Sequence, residues 1–103
     1  MKRFTEGRDH PVESEQEGFY IRKIETDRIE VELWEIHAGV KIEPRQTVGD
    51  WMGVMTAGEL EFWVGTDRKN LFPSDTVQLP AHTEYHCRAL GEKSARMILI
   101  RVR

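Results

Sequence analysis

Apolar and polar residues change places every second position along most of this chain. Ile29-Glu30-Val31-Glu32-Leu33 sets apolar against acidic residues at a period of two, the mark of a half-buried strand. It continues through Trp34 and Ile36, where both faces become apolar, and stops at Ala38-Gly39. Glu59-Leu60-Glu61-Phe62-Trp63-Val64 and Thr76-Val77-Gln78-Leu79 alternate in the same way. Phe19 to Ile24, Val40 to Ile42, Trp51 to Met55, Tyr85 to Leu90 and Met97 to Val102 read as further strands, with Pro44 ending or kinking the second of these. Between them lie turn residues: Glu25-Thr26-Asp27-Arg28, Thr56-Ala57-Gly58 as a tight hairpin, Gly65-Thr66-Asp67, Pro73-Ser74-Asp75 and Gly91-Glu92-Lys93-Ser94. Turns recurring about every 8–12 residues without a helical stretch predict an all-β fold, a sandwich or barrel of short antiparallel strands.

Composition narrows the picture. One hundred and three residues suit one domain with a single modest core. Residues 1–18 are polar and acidic and predict an N-terminal arm, leaving 19–103 as the β domain. Eighteen acidic against fifteen basic residues give a net charge of -3, which argues against a nucleic-acid binder. Arg101 and Arg103 read as a solvated strand face. The single cysteine, Cys87, excludes an intramolecular disulfide and a four-cysteine zinc site, and a buried inert thiol is the expectation for it. No apolar stretch approaches the ~20 residues of a membrane span, and the first residues lack the apolar run of a secretion signal. A cytoplasmic protein without membrane attachment is therefore expected.

The most informative stretch runs from Gly39 to Gly58. It reads glycine, five residues, Arg45-Gln46-Thr47, three residues, Trp51, six residues, glycine. A second stretch reads Ser74, five residues, Pro80-Ala81-His82, two residues, Tyr85, three residues, Ala89. Over roughly Phe19 to Val102 the chain resembles the cupin superfamily, whose two motifs have these spacings. The resemblance implies a small antiparallel β-barrel of the double-stranded β-helix, or jelly-roll, type. It also implies a homodimer, built by packing sheets face to face or exchanging an edge strand. Where the family has His, His and Glu as metal ligands, this chain has Arg45, Thr47 and Trp51. Where it has glycine, glycine, His and Asn in the second motif, Ser74, His82, Tyr85 and Ala89 stand. The spacing is kept, and the ligands are not.

Those replacements set the chemistry. Residues two apart in a strand share a face, so Arg45 and Thr47 point the same way, into the barrel in the family register. A guanidinium repels a divalent cation but holds a carboxylate or phosphate through two parallel hydrogen bonds. Thr47 adds a hydroxyl and Trp51 an apolar wall. The plainer alternatives are that Arg45 pairs with Glu84 or Glu43 at the rim and that Trp51 is simply core. Tyr85 takes the family's histidine position by strict counting, while His86 takes it if the loop carries one extra residue. Ligand-binding candidates are thus Arg45, Thr47, Trp51, Tyr85 and His86.

His82, Glu84 and His86, at a period of two, form the alternative: ligands for a divalent transition metal such as iron, manganese, zinc or nickel. His10 and His37 have no partner at motif spacing. The reading adopted is a binding domain for a small acidic or polar molecule, without a favoured cofactor. A metal-dependent dioxygenase or isomerase centred on His86 is the alternative. A metal-free epimerase of the kind found in the family would need a His–Asp and Tyr arrangement that this sequence does not display. Whether the chain is an enzyme stays open at this level.

Overall fold

The computed structural model describes Phe4 and residues 6–103. Among these are ten strands: β1 (Val12–Gln16), β2 (Phe19–Glu25), β3 (Ile29–Ile36), β4 (Lys41–Gln46), β5 (Trp51–Ala57), β6 (Glu59–Val64), β7 (Asp67–Leu71), β8 (Thr76–Leu79), β9 (Glu84–Leu90) and β10 (Ala95–Val102). They form a larger sheet in the order β1-β2-β3-β10-β5-β8 and a smaller one in the order β4-β9-β6-β7. All pairings are antiparallel. The expected antiparallel β-barrel is present in jelly-roll form. No helix of the described residues is long and apolar enough to cross a membrane.

Every strand expected from alternation is found, and two appear where none was expected. β1 is exposed at all five residues, and in β7 only Leu71 is buried. Both are edge strands, so neither carries the one-sided burial that writes a period of two into a sequence. Of the expected arm over residues 1–18, residues 1–3 and 5 lie outside the described residues. Pro44 sits in β4, also at a sheet edge, within the register shift between Ile42 and Arg45. A proline there forfeits no ladder hydrogen bond on a central strand.

The tight hairpin expected at Thr56-Ala57-Gly58 is not a hairpin. β5 lies in the larger sheet and β6 in the smaller, so the chain turns a corner from one to the other at Gly58. Gly58 has φ +75, and a Cβ there would lie 2.6 Å from the Ser94 carbonyl oxygen and 2.7 Å from the Ala95 Cα. Only glycine fits that corner. Gly39 has φ +79, and the residues at the other two motif glycine positions, Ser74 (φ +79) and His82 (φ +65), hold the left-handed region without being glycine. The backbone frame of the motifs survives the side-chain replacements.

The core lies between the sheets. Phe19, Trp34, Ile36, Ile42, Met55, Leu60, Phe62, Leu79, Tyr85, Cys87, Met97 and Leu99 are all buried. Phe19 meets Trp34 edge-on at 5.0 Å, and Tyr85 stacks between Phe62 at 5.9 Å and Trp34 at 6.2 Å. The parity of β3 decides which of its two faces is inside. Trp34 and Ile36 face the core, so Glu32 and Glu30, two and four positions earlier, continue the inner face, while Leu33, Val31 and Ile29 face outward. The acidic residues of the alternating run are the inward ones.

Candidate functional site

The inner face changes from apolar to charged towards one open end of the barrel. On β2, Ile21 gives way to Lys23; on β3, Trp34 gives way to Glu32 and Glu30; on β10, Leu99 gives way to Arg101. Together with Glu15 of β1, Arg45 and Gln46 of β4, Thr47, Val48, Trp51 and Tyr85, they line a cavity of about 340 Å³. That volume suits a small organic molecule.

β4 and β9 place Arg45 directly across from Tyr85. Cross-strand partners share a face, so the guanidinium enters the barrel beside the phenol. Arg45 lies over the Phe19 ring at 5.7 Å and forms an ion pair with Glu15 at 3.5 Å. Among the described residues it donates no hydrogen bond, so its planar fork is available. Its partner is neither of the carboxylates expected at the rim, Glu84 or Glu43, but Glu15 from the edge strand. Burial pushes the Tyr85 phenol up to about 12 against the pull of the Arg45 charge, so it is a neutral hydroxyl at physiological pH.

Thr47 and the neighbouring loop frame the entrance. The Thr47 hydroxyl donates to the Pro80 carbonyl at 3.3 Å, the His82 N–H to the Thr47 carbonyl at 3.0 Å, and the Ala81 N–H to Asp50 Oδ1 at 2.7 Å. The segment before β5 is thereby tied to the segment before β9. Trp51 is half-buried rather than core, with the Arg101 guanidinium 5.7 Å from its ring centre. Arg101 is no solvated strand residue: it donates to Glu30 at 3.1 Å, its side chain is 25% exposed, and its Nε is buried without a hydrogen-bond partner among the described residues. Arg103 closes on the same Glu30 carboxylate at 2.7 Å. Glu32 accepts a hydrogen bond from Trp34 Nε1 at 2.9 Å.

His86 faces the other way. It alternates with Tyr85 along β9 and stacks on Trp63 at 4.5 Å on the outer face of the smaller sheet. Strict motif counting, with Tyr85 inward, is the register adopted. Glu61, on that same outer face, is gripped by Arg68 and Arg88, which hold its carboxyl below the usual range. His82 takes the left-handed turn position and is exposed, as is Glu84, so the expected alternation of His82, Glu84 and His86 towards one point is broken at its first residue. Cys87 is fully buried, and burial raises its thiol to about 12 against the pull of Arg45, the inert state expected for it.

The family resemblance raises the question of a metal ion. Its motif positions here present a guanidinium, a hydroxyl already used by Pro80, an indole and a phenol. The carboxylates at the mouth are engaged by Arg45, by Arg101 and Arg103, and by Trp34. Among the described residues no group of three or more His, Cys, Asp and Glu is placed to hold an ion. This donor set does not fit a divalent cation.

Of the residues lining this cavity, the sequence singles out Arg45, Thr47, Trp51 and Tyr85 but not Glu15, Lys23, Glu30, Glu32 or Arg101. Counting back in steps of two from Trp34 would have reached both glutamates on β3. Nothing in the sequence points to Glu15.

No protein-family model matches the chain, and no curated protein matches it in sequence. Solved structures match it in shape. KdgF from a Halomonas species superposes with a TM-score of 0.83 at 21% identity, covering 100% of this chain and 96% of that one. An RmlC-like cupin from Shewanella frigidimarina gives 0.83 at 14% identity, covering 99% and 91%. Oxalate decarboxylase from Bacillus subtilis gives 0.82 at 15%, with 91% of this chain matching 27% of that protein. Identities this low carry the fold: the chain is a small β-barrel of cupin type.

Proposed function

We propose that the chain is a binding domain that takes a small acidic or polar molecule into the charged end of its barrel, with Arg45 as the anchor. The observation that carries this reading is the Arg45 guanidinium itself. It points inward beside aromatic rings, and among the described residues it makes one ion pair and no hydrogen bond. A fork of donors in a partly dry cavity is matched by a carboxylate. The neutral Tyr85 hydroxyl offers a further donor, and Trp51 and Trp34 supply flat walls. A half-buried charge-assisted contact of this kind is worth roughly 1.5–3 kcal/mol, a factor of about 10 to 150 in affinity.

Benzoate, the simplest carboxylate with an aromatic body, is the test probe, followed by calorimetry and by tryptophan fluorescence from the cavity wall. Saturable binding by the natural protein is expected. Arg45→Ala should weaken it at least tenfold, and His86→Ala, on the opposite face, should leave it within a factor of two. Equal affinity in Arg45→Ala, or absence of saturation in the natural protein and in every variant, refutes the anchor.

We propose a homodimer through the outer face of the larger sheet. There the outward residues of adjacent strands align as Leu33, Ile98 and Val54 in one row and Ile24, Val31, Ile100 and Met52 in the next. On β3, β10 and β5 these rows carry no charge, and the one charge that β2 adds to the first row, Arg22, is bound by the Gly7 and His10 carbonyls. A second copy is the partner that fits, because two such faces meet about a twofold axis without burying an unpaired charge.

A further inference from the structure

We infer that Glu15 sits in the seat of the ligand's own carboxylate, and that the ligand is a singly charged carboxylate bound in exchange for it. The inference rests on the Arg45 reading above and names the chemistry of what Arg45 receives.

Glu15 reaches the cavity by strand parity: Glu13 pairs with the inward Ile21, so Glu15, two residues on, shares that face. The β1–β2 ladder pairs Ser14 with Tyr20 and then Gln16 with Phe19, so Glu15 is the residue skipped at the register shift. Its side chain is 25% exposed although its strand is exposed throughout. Yet the contact is loose. Glu15 and Arg45 approach to 3.5 Å without a hydrogen bond between them, leaving the bidentate geometry of a guanidinium and a free carboxylate unmet.

The strand that carries Glu15 is held by groups at the surface. Lys23 pairs with Glu13 at 3.0 Å, and Gln16 Nε2 donates to the Lys41 carbonyl at 2.9 Å. Arg22 binds the carbonyls of Gly7 and His10 just ahead of β1. No side chain of β1 is buried. Moving Glu15 aside therefore takes no residue out of the core.

Charge selects the class of ligand. The cavity lining carries Lys23, Arg45 and Arg101 against Glu15, Glu30 and Glu32, a formal balance of zero. With Glu15 displaced, the lining keeps Lys23, Arg45 and Arg101 against Glu30 and Glu32, one positive charge in excess, and Arg45 is the cation that has lost its ion-pair partner. One carboxylate restores neutrality. A phosphate dianion leaves an excess negative charge in a partly desolvated site, which is unfavourable. The cavity wall around Arg45 is aromatic, so the body attached to that carboxylate is flat or apolar rather than charged.

The test compares benzoate and inorganic phosphate titrations of the natural protein with Glu15→Gln, Glu13→Gln and Arg45→Ala. A seat filled most of the time by an internal competitor lowers apparent affinity by the fraction left empty. Glu15→Gln should therefore bind benzoate about five- to tenfold more tightly than the natural protein. Glu13→Gln, which loosens the same strand without vacating the seat, should gain less than twofold. Benzoate bound no more tightly by Glu15→Gln, with Arg45→Ala still deficient, overturns the exchange while sparing the anchor. An equal gain in Glu13→Gln also overturns it, because strand loosening would then be the cause. Phosphate bound more tightly than benzoate by Glu15→Gln overturns the assignment to singly charged carboxylates. Insensitivity of every titration to Arg45→Ala removes both readings at once.

Discussion

Replacing Gly58 by alanine tests whether the sheet-to-sheet corner, rather than a hairpin, is what that glycine serves. Two costs add at this position. A non-glycine residue at φ +75 pays about 1–2 kcal/mol for the left-handed conformation. The new Cβ would also lie 2.6 Å from the Ser94 carbonyl oxygen and 2.7 Å from the Ala95 Cα, which are backbone atoms at the start of β10 and cannot rotate away. Shifting them costs about 1–3 kcal/mol more, the range seen for overpacking. The expected total is about 2–5 kcal/mol. Gly39→Ala is the matched control, because Gly39 has φ +79 but a Cβ there meets nothing within 4 Å. It should cost the conformational part alone, about 1–2 kcal/mol. Urea unfolding followed by tryptophan fluorescence gives both numbers. On a domain of this size each kcal/mol moves the melting temperature by roughly 4–8 °C, so thermal melts should separate the two variants clearly. The sign reverses at His82, where φ +65 is held by a side chain: His82→Gly should stabilise by up to about 1 kcal/mol. Equal losses for Gly58→Ala and Gly39→Ala would refute the corner argument, since a simple turn would leave the added methyl in open space at both.

Two further outcomes are expected. Cys87 and Tyr85 are raised by burial, from 9.0 and 10.0 to about 12 each, so folding favours their protonated forms and the stability they contribute is intact below pH 9 and lost as pH rises towards 12. Removing the thiol with Cys87→Ala should make the fall in unfolding free energy between pH 9 and 11 shallower, by up to about 1.4 kcal/mol per pH unit, and an unchanged slope counts against a buried neutral thiol. Ile98→Lys, in the middle of the apolar sheet face, should convert a dimer to a folded monomer in sedimentation velocity, and a monomeric natural protein or a dimeric variant rejects that interface.

The strands were legible wherever one face is buried, because burial on one side is what imposes a period of two. β1 and β7 escaped because edge strands such as these carry no such imprint. Alternation also reports two faces without saying which is inside. In β3 both readings satisfy the pattern, and the larger apolar residues Trp34 and Ile36 decide it by being core, which carries Glu32 and Glu30 into the mouth and leaves Val31 and Leu33 outside. Glu15 was illegible for a different reason: its strand is exposed throughout, so no alternation marks which of its residues face the cavity. The motif spacing, by contrast, was read correctly even though few of its residues match. Four positions with φ between +65 and +79, occupied by Gly39, Gly58, Ser74 and His82, explain why. These turns fix where β4, β5 and β9 begin and end, so the distance along the chain between them cannot drift without breaking the barrel. Arg45 and Thr47, at the solvent-open end, bear less of this constraint, whereas Tyr85 is packed between Phe62 and Trp34. Backbone frame and site chemistry are therefore separable in this fold. A guanidinium can stand where a metal ligand is expected at little cost to stability, and the ion pair with Glu15 is the structural consequence, because an arginine brought into that space needs an anion beside it.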